Sequence, residues 1–484
     1  MASKILLISI NQCNEPYPVF PLGLTYIATA LHRAGHQTRL LDWQVNRPVT
    51  AGTLSEFQPD IVGISLRNID DVLIKKRQTF FDDLSGLCAE IKQLTSCPII
   101  LGGSGFSIFS EELLALSGAD FGIQGQGEES VVSLVSALEQ QTDYSNISGL
   151  VFRNAGRIFT NSRRDSLPQG RLTMPERPEH LVEFYLRNSA MLNIQTQRGC
   201  AFHCCYCTYP VIEGRNYQRR TPDAVAEEFE ALQNLGAKYL FIVDTVFNSS
   251  NEHVAGICEA ILKKNLKRKW GCFLHPKNLT PGLMRLMARA GLSHIEFGTD
   301  SFCNSVLEAY GKSFTFDDIY QSSELARREN VDYCHFLILG GPGETHETLK
   351  LSFENSQRLQ RSVILAVVGM RVYPGTPLYE RVRREGRAWS GAELLQPRYY
   401  LSPALTEDGV FARLHEFARL SPVWIIGDPT PRYQKLSERL RAKGIVGPLW
   451  NHFAMMQQLA GAAQVRSKST DRRPDNTLPD FNSL

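Results

Sequence analysis

Eleven cysteines are spread through the 484 residues, and three of them stand close together. Cys200, Cys204 and Cys207 lie in the run Arg198-Gly199-Cys200-Ala201-Phe202-His203-Cys204-Cys205-Tyr206-Cys207, with the spacing C-x3-C-x2-C. Three thiolates on one short loop can hold three irons of a [4Fe–4S] cluster and leave the fourth iron open to a substrate. Zinc is the rival chemistry, but a structural zinc site wants four closed ligands and no second C-x2-C lies nearby. Cys205 is read as a packing residue and His203 as a loop residue. The other cysteines are too dilute and irregular for a secreted disulfide framework, and the total is odd.

The elements around this loop must place it. From about residue 191 to 387, strand-like apolar runs alternate with helical patterns. The strands are expected at 191–196, 239–243, 271–274, 294–298, 334–339 and 363–372, with helices at 222–235, 281–290, 316–329 and 344–359 among others. Six β/α units fit a partial (β/α)6 barrel of the TIM type, whose site lies at the carboxyl ends of its strands. The cysteine loop directly follows the first of these strands.

Upstream, residues 1–145 also alternate. Strands are expected at 4–10, 36–41, 61–66, 98–101 and 119–124, and helices at 22–34, 72–94 and 128–140. Pro21 and Gly35 punctuate the first helix. This is an α/β pattern for a doubly wound, Rossmann-like parallel sheet, which binds ligands beyond its strand C-termini. It has no P-loop signature, and its Gly125-Gln126-Gly127 follows the fifth strand rather than the first, which argues against a dinucleotide fingerprint. Residues 146–188 read as a hairpin and linker, 189–388 as the barrel, 389–464 as a mixed region covering its mouth, and 465–484 as a disordered polar tail.

A net charge of +2 gives no electrostatic reason to expect nucleic acid or a membrane surface as partner. With 43% hydrophobic and 21% charged residues the chain is ordinary globular. No segment approaches the ~18 apolar residues that span a bilayer, and no signal peptide is evident, so the sequence reads as cytoplasmic.

Further motifs follow the cysteines in order: Phe241-Ile242-Val243-Asp244-Thr245-Val246-Phe247, Gly298-Thr299-Asp300-Ser301, Gly340-Gly341-Pro342-Gly343-Glu344-Thr345 and Tyr373-Pro374-Gly375-Thr376-Pro377-Leu378. Together they resemble the radical S-adenosylmethionine (SAM) enzymes, in the branch that carries a cobalamin domain. Gly298-Thr299-Asp300-Ser301 stands where that family usually has Gly-Ile-Glu-Ser, so Asp300 keeps the carboxylate with a shorter reach. The resemblance implies that Cys200, Cys204 and Cys207 hold the cluster and that SAM chelates its free iron. It implies that Tyr206 presents backbone near the adenine, that Asp244 and Asp300 hold the amino group or ribose, that Lys312 contacts the carboxylate, and that Gly341 lies against the cofactor. The plain alternatives are a helix cap for Asp244 and a solvated surface position for Lys312.

The first domain resembles the cobalamin (B12)-binding domain of the same branch, on Pro21-Leu22-Gly23-Leu24, Pro59-Asp60-Ile61-Val62-Gly63-Ile64-Ser65, Leu101-Gly102-Gly103 and Gly125-Gln126-Gly127-Glu128. The resemblance places Leu22, Gly23, Ser65, Leu66, Gly102, Gly103, Gly125, Gly127 and Glu128 around the cofactor. Many such domains supply a lower histidine from Asp-x-His-x-x-Gly after the first strand. Here that loop reads Asn11-Gln12-Cys13-Asn14-Glu15-Pro16, without histidine. Arg67 is then expected over the lower face, where a cation cannot ligate cobalt; its alternative is a surface salt bridge.

The implied activity is C-methylation of an unactivated carbon of a small molecule, through a 5′-deoxyadenosyl radical and methylcobalamin, with flavodoxin or ferredoxin as electron donor. Cyclisation, rearrangement or oxidation on the same cofactors is the alternative, and a non-catalytic cobalamin or iron–sulfur carrier is a further one. The tRNA methylthiotransferases share the barrel but need three more cluster cysteines, and Cys13, Cys88 and Cys97 are too unevenly spaced for that. The whole chain, with Leu66-Arg67-Asn68-Ile69-Asp70-Asp71 and Gly447-Pro448-Leu449-Trp450, resembles radical SAM proteins labelled as lipid-biosynthetic, which makes a lipid or isoprenoid a candidate substrate.

Overall fold

Short apolar runs rich in Ile, Leu and Val form the strands, because buried parallel strands bury both faces. The computed structural model describes residues 2–13, 17–45, 51–163, 172–427 and 431–454, so the tail expected at 465–484 lies outside the described residues. The first sheet contains β1 (Lys4–Ser9), β2 (Gln37–Asp42), β3 (Ile61–Ser65), β4 (Ile99–Gly102), β5 (Phe121–Ile123), β6 (Leu150–Asn154) and β7 (Arg157–Thr160). Their order is β2-β1-β3-β4-β5-β6-β7. The first five run parallel. The hairpin β6–β7 extends the same sheet antiparallel. Strand order reverses between β1 and β3, which is where a doubly wound sheet opens a ligand crevice. In register there, Ser9 pairs with Ser65 and Ser65 with Gly102, so three small residues end three adjacent strands.

The helix expected over 72–94 is a helix only over Leu84–Leu94. Residues before it form turns and a bridge between Asp70 and Thr79. The cause is local. Asp70 and Asp71 side chains accept from the backbone N–H of Val72 and Leu73, each at 3.0 Å, and such Asx turns compete with helix.

The second sheet contains β8 (Met191–Ile194), β9 (Tyr239–Ile242), β10 (Lys269–Leu274), β11 (Leu292–Asp300), β12 (Asp332–Leu339), β13 (Ser362–Val368) and β14 (Trp424–Ile426). It is parallel throughout, in the order β14-β13-β12-β11-β10-β9-β8, and forms the partial barrel. The seventh strand comes from the region expected only to cover the mouth. It is three residues long, too short for a periodic signal, and fully buried Trp424 anchors it. Thr221, Ser250, Thr280, Thr315 and Thr345 cap the helices that follow β8 to β12. Each accepts a backbone N–H that would otherwise be orphaned, which fixes where each strand-to-helix loop ends.

Candidate functional site

The cysteine loop is tied down before it starts. Asp244, just past β9, accepts from the backbone N–H of Thr196 at 2.7 Å and of Gln197 at 3.2 Å, and takes the Thr196 hydroxyl as well. Burial pushes its carboxyl up to about 7, against those hydrogen bonds. Asp244 is fully buried, outside the cavity lining, and its oxygens hold the loop entry. Gly199 then turns with φ of +91°, and a Cβ there would lie 2.2 Å from the Asn216 carbonyl oxygen. Only glycine fits that approach.

Beyond Gly199 the loop places Cys200, Cys204 and Cys207 on the wall of one large cavity. Burial raises the pKa of each thiol first, and the Cys204 thiol adds to the rise at Cys200 and at Cys207. Among the described residues no metal-ligating side chains converge tightly enough to enclose a single ion. Three thiolates along one loop could each meet a separate iron of a four-iron cube. Cys205 faces away from the cavity, with its sulfur 3.8 Å from that of Met370.

Next to the cysteines sits a compact polar group. The Tyr206 hydroxyl donates to Asp300 at 2.6 Å, and Lys312 Nζ lies 2.5 Å from the same carboxylate. Lys312 also donates to the Gly298 carbonyl at 3.2 Å. Only 7% of its side chain is exposed, which rules out a solvated surface lysine. Burial alone would lower its pKa, but Asp300 and the nearby thiols hold it above the ordinary value. Asp300 itself adopts φ of +67°, at the register shift that ends β11. Strained backbone of this kind concentrates at functional sites. Gly341 lies outside the cavity lining, and a Cβ there would lie 2.3 Å from the Tyr310 hydroxyl and 2.5 Å from its ring. Its absence of a side chain serves packing of the turn.

The opposite wall belongs to the first domain. Leu22, Gly23, Ser65, Arg67, Gly102 and Gly103 line it at the strand ends, followed by Gly125, Gly127 and Glu128. Leu66 does not; its side chain is 2% exposed in the domain core, and its carbonyl accepts from Gly105 at 3.0 Å. Gly103 has φ of +100°, and a Cβ would lie 2.5 Å from that carbonyl, so glycine keeps the strand end flat. Arg67 is exposed to the cavity and makes no ion pair among the described residues.

Two ion pairs bind the domains across this space. Arg198, just before Gly199, meets Glu128 at 2.7 Å and lies over the Tyr26 ring at 4.7 Å. Arg371, after β13, meets buried Asp70 at 2.7 Å. The cavity between the domains measures about 810 Å³. It retains unpaired buried oxygens on Glu128, Asn68 and Asn193. A broad, polar-edged cofactor fits a cavity with apolar walls, glycines at its strand ends and the exposed Arg67 at its edge. Motif reading missed Arg198, Glu213 and His275. The His275 ring stacks on Phe202 at 4.4 Å and 7° on the cavity wall, and burial lowers its pKa to about 4.

Residues 14–135 match the B12 binding domain, and residues 194–354 match the radical SAM superfamily. The chain belongs to the B12-binding radical SAM enzymes. Its cofactors are accordingly a [4Fe–4S] cluster, SAM and cobalamin. This B12-binding radical SAM chain is 25% identical over 440 residues to tryptophan 2-C-methyltransferase of Streptomyces laurentii, covering 76% of this chain and 73% of that one. It is 23% identical over 395 residues to hopanoid C-3 methylase of Methylococcus capsulatus, covering 77% and 72%. The structure of the radical SAM methyltransferase TsrM from Kitasatospora setae, with cobalamin and a [4Fe–4S] cluster bound, superimposes with a TM-score of 0.84 at 22% identity, covering 96% of this chain and 100% of that one. At that identity the likeness establishes the fold of both domains. Among the described residues no helix is long and apolar enough to cross a membrane.

Proposed function

We propose that the protein is a cobalamin-dependent radical SAM C-methyltransferase acting on an unactivated carbon of a small molecule. The observation that carries this is the single cavity bounded by the three cysteines, the Asp300–Lys312 pair and the Gly102-Gly103 strand end. When bound, the cluster and SAM supply a carbon-centred radical, and cobalamin supplies a transferable methyl group. Cys200, Cys204 and Cys207 hold three irons. Lys312, kept charged by Asp300, would bind the carboxylate of SAM. Arg198–Glu128 and Arg371–Asp70 hold the two domains at a fixed separation, and the apolar lining excludes water. Arg67, exposed on the cavity wall, would lie against bound cobalamin, and a guanidinium would not serve as a metal ligand. The electron arrives from a flavodoxin or ferredoxin.

The similarity to tryptophan 2-C-methyltransferase and hopanoid C-3 methylase, both C-methylating enzymes, supports methyl transfer. The test is anaerobic reconstitution with cobalamin and SAM, followed by a mass screen of extract metabolites. A product heavier by one CH2 is expected; 5′-deoxyadenosine formed with no such gain would turn the reading to cyclisation, rearrangement or oxidation.

A further inference from the structure

Inside the barrel, below the residues that face the cofactors, lies a carboxyl group that the methyl-transfer machinery does not use. Glu296 points inward from β11 and is 7% exposed. Its backbone pairs with β10 and β12, in register with Phe273 and Cys334. One carboxyl oxygen accepts the indole N–H of Trp450 at 3.1 Å. The other makes no hydrogen bond among the described residues, and it is not sealed from contact either. Tyr17 packs in the same inner cluster as Tyr239, Phe241 and Phe273, the residue paired with Glu296 across the sheet, and the Glu296 charge is, after burial, the foremost cause raising its phenol's pKa. Tyr17 likewise has no hydrogen-bond partner among the described residues, while Arg441 lies over its ring at 5.3 Å.

The floor beneath Glu296 is closed. His294, two residues earlier on the strand, packs its ring against Trp450 at 5.4 Å and bonds the Tyr239 hydroxyl at 3.0 Å. Above Glu296 the barrel is open. Phe273, beside it, and Gly298, two residues further, both line the large cavity. A Cβ added at Gly298 would meet nothing within 4 Å, so no packing demands glycine there. Glu296 lies just beneath that lining, with Val243, Phe273, Gly298, Ile338 and Val367 forming the cavity wall above it.

We infer that Glu296 and Tyr17 form the inner end of the substrate pocket, which takes an apolar molecule whose buried end carries one hydrogen-bond donor, a hydroxyl or N–H. This rests on the small-molecule reading above and deepens it. An unpaired acceptor in apolar surroundings costs the full desolvation of that group, and a ligand donor reaching it recovers that cost. The apolar walls favour a hydrocarbon body, and the single acceptor end sets its direction. Burial, offset in part by Trp450, holds the Glu296 carboxyl at about 7, so a neutral donor suits it as well as a charged one.

The test is calorimetric titration of the reconstituted holoenzyme with 2-naphthol and with 2-methylnaphthalene, which differ by hydroxyl against methyl. The wild type is expected to prefer 2-naphthol by about tenfold or more, the loss expected when one buried hydrogen bond is withheld. Glu296→Gln, which keeps shape and can present its own N–H to the cavity, and Tyr17→Phe should each shrink that preference without weakening 2-methylnaphthalene. An equal affinity of the wild type for both probes, or a preference that survives Glu296→Gln, overturns the proposal. Cobalamin and iron content of each variant, measured alongside, reports whether it folded; if Glu296→Gln does not, Tyr17→Phe decides alone. A wild type that shows the preference yet methylates nothing overturns the proposed function and leaves this pocket standing. A methylating enzyme whose preference survives the substitutions overturns the pocket alone.

Discussion

The two walls of the cavity are built on opposite principles. On the barrel side, nearly every polar group is already spoken for: Asp244 by the loop entry, Asp300 by Tyr206 and Lys312, Glu213 by Gly199 N–H at 3.0 Å and Gln195 at 3.0 Å. On the B12-binding side, Arg67 stands without an ion pair among the described residues, and Glu128 and Asn68 keep buried oxygens unpaired. The first wall is preorganised by its own bonds and orients what binds there. The second is a cradle of glycines and apolar side chains with the exposed Arg67 at its edge. Preorganised sites tolerate loss of a partner poorly, while a cradle loses affinity in smaller steps.

The largest effect should come from the barrel wall. Alanine at Cys200, Cys204 or Cys207 is expected to abolish cluster binding and 5′-deoxyadenosine formation, read by iron content and chromatography. Cys205→Ala should keep the iron. Loss of the cluster on Cys205→Ala would break the division of the loop into an inward and an outward side.

The next test is the clamp between the walls. Arg371→Met leaves Asp70 buried and uncompensated, at 0% side-chain exposure. Removing one partner of a buried pair costs about 3–5 kcal/mol. A lowered Tm with faster cobalamin release is expected; an unchanged Tm would show the domains are held by other contacts.

Within the cradle a smaller change is expected. Arg67→Ala should shift the visible spectrum of bound cobalamin while leaving iron content intact. An unchanged spectrum would place Arg67 away from the lower face.

The smallest effect concerns a buried acid of the barrel wall itself. Burial raises the Glu344 carboxyl from 4.5 to about 8, against hydrogen bonds from Gly340, Tyr310 and Gly341. The fold therefore prefers the protonated acid. Its contribution is full below the unfolded value of 4.5 and is lost as pH rises through about 8. The Tm penalty of Glu344→Gln should accordingly shrink on going from mildly acidic to alkaline pH. A penalty independent of pH would mean that Glu344 does not titrate as a buried acid.

The same contrast governs what could be read from sequence. The cysteine loop was legible because its chemistry depends on spacing along seven or eight residues. Asp300 and Lys312 were legible through their motifs, which place them at a strand end and one short helix later. Asp244 and Gly341 stand in equally good motifs, yet one holds the loop entry and the other admits the Tyr310 ring. A motif names a position but not the atom that position serves. Leu66 faces inward because strand alternation turns it opposite to Ser65 and Arg67. The helix expected from residue 72 gave way to Asx turns, and the strand at Trp424 is too short to show periodicity. His275 and Glu296 were beyond reach for another reason. Each matters through the strand beside it, and that register is set by the whole barrel.

The central claim is that cluster, SAM and cobalamin face one cavity and act on one substrate. Anaerobic turnover with SAM bearing a trideuterated methyl group tests it most directly, with mass spectrometry of the product. The account predicts 5′-deoxyadenosine together with a product carrying the intact trideuteromethyl group, both lost in Cys204→Ala. 5′-Deoxyadenosine formed with no label in any product would contradict it.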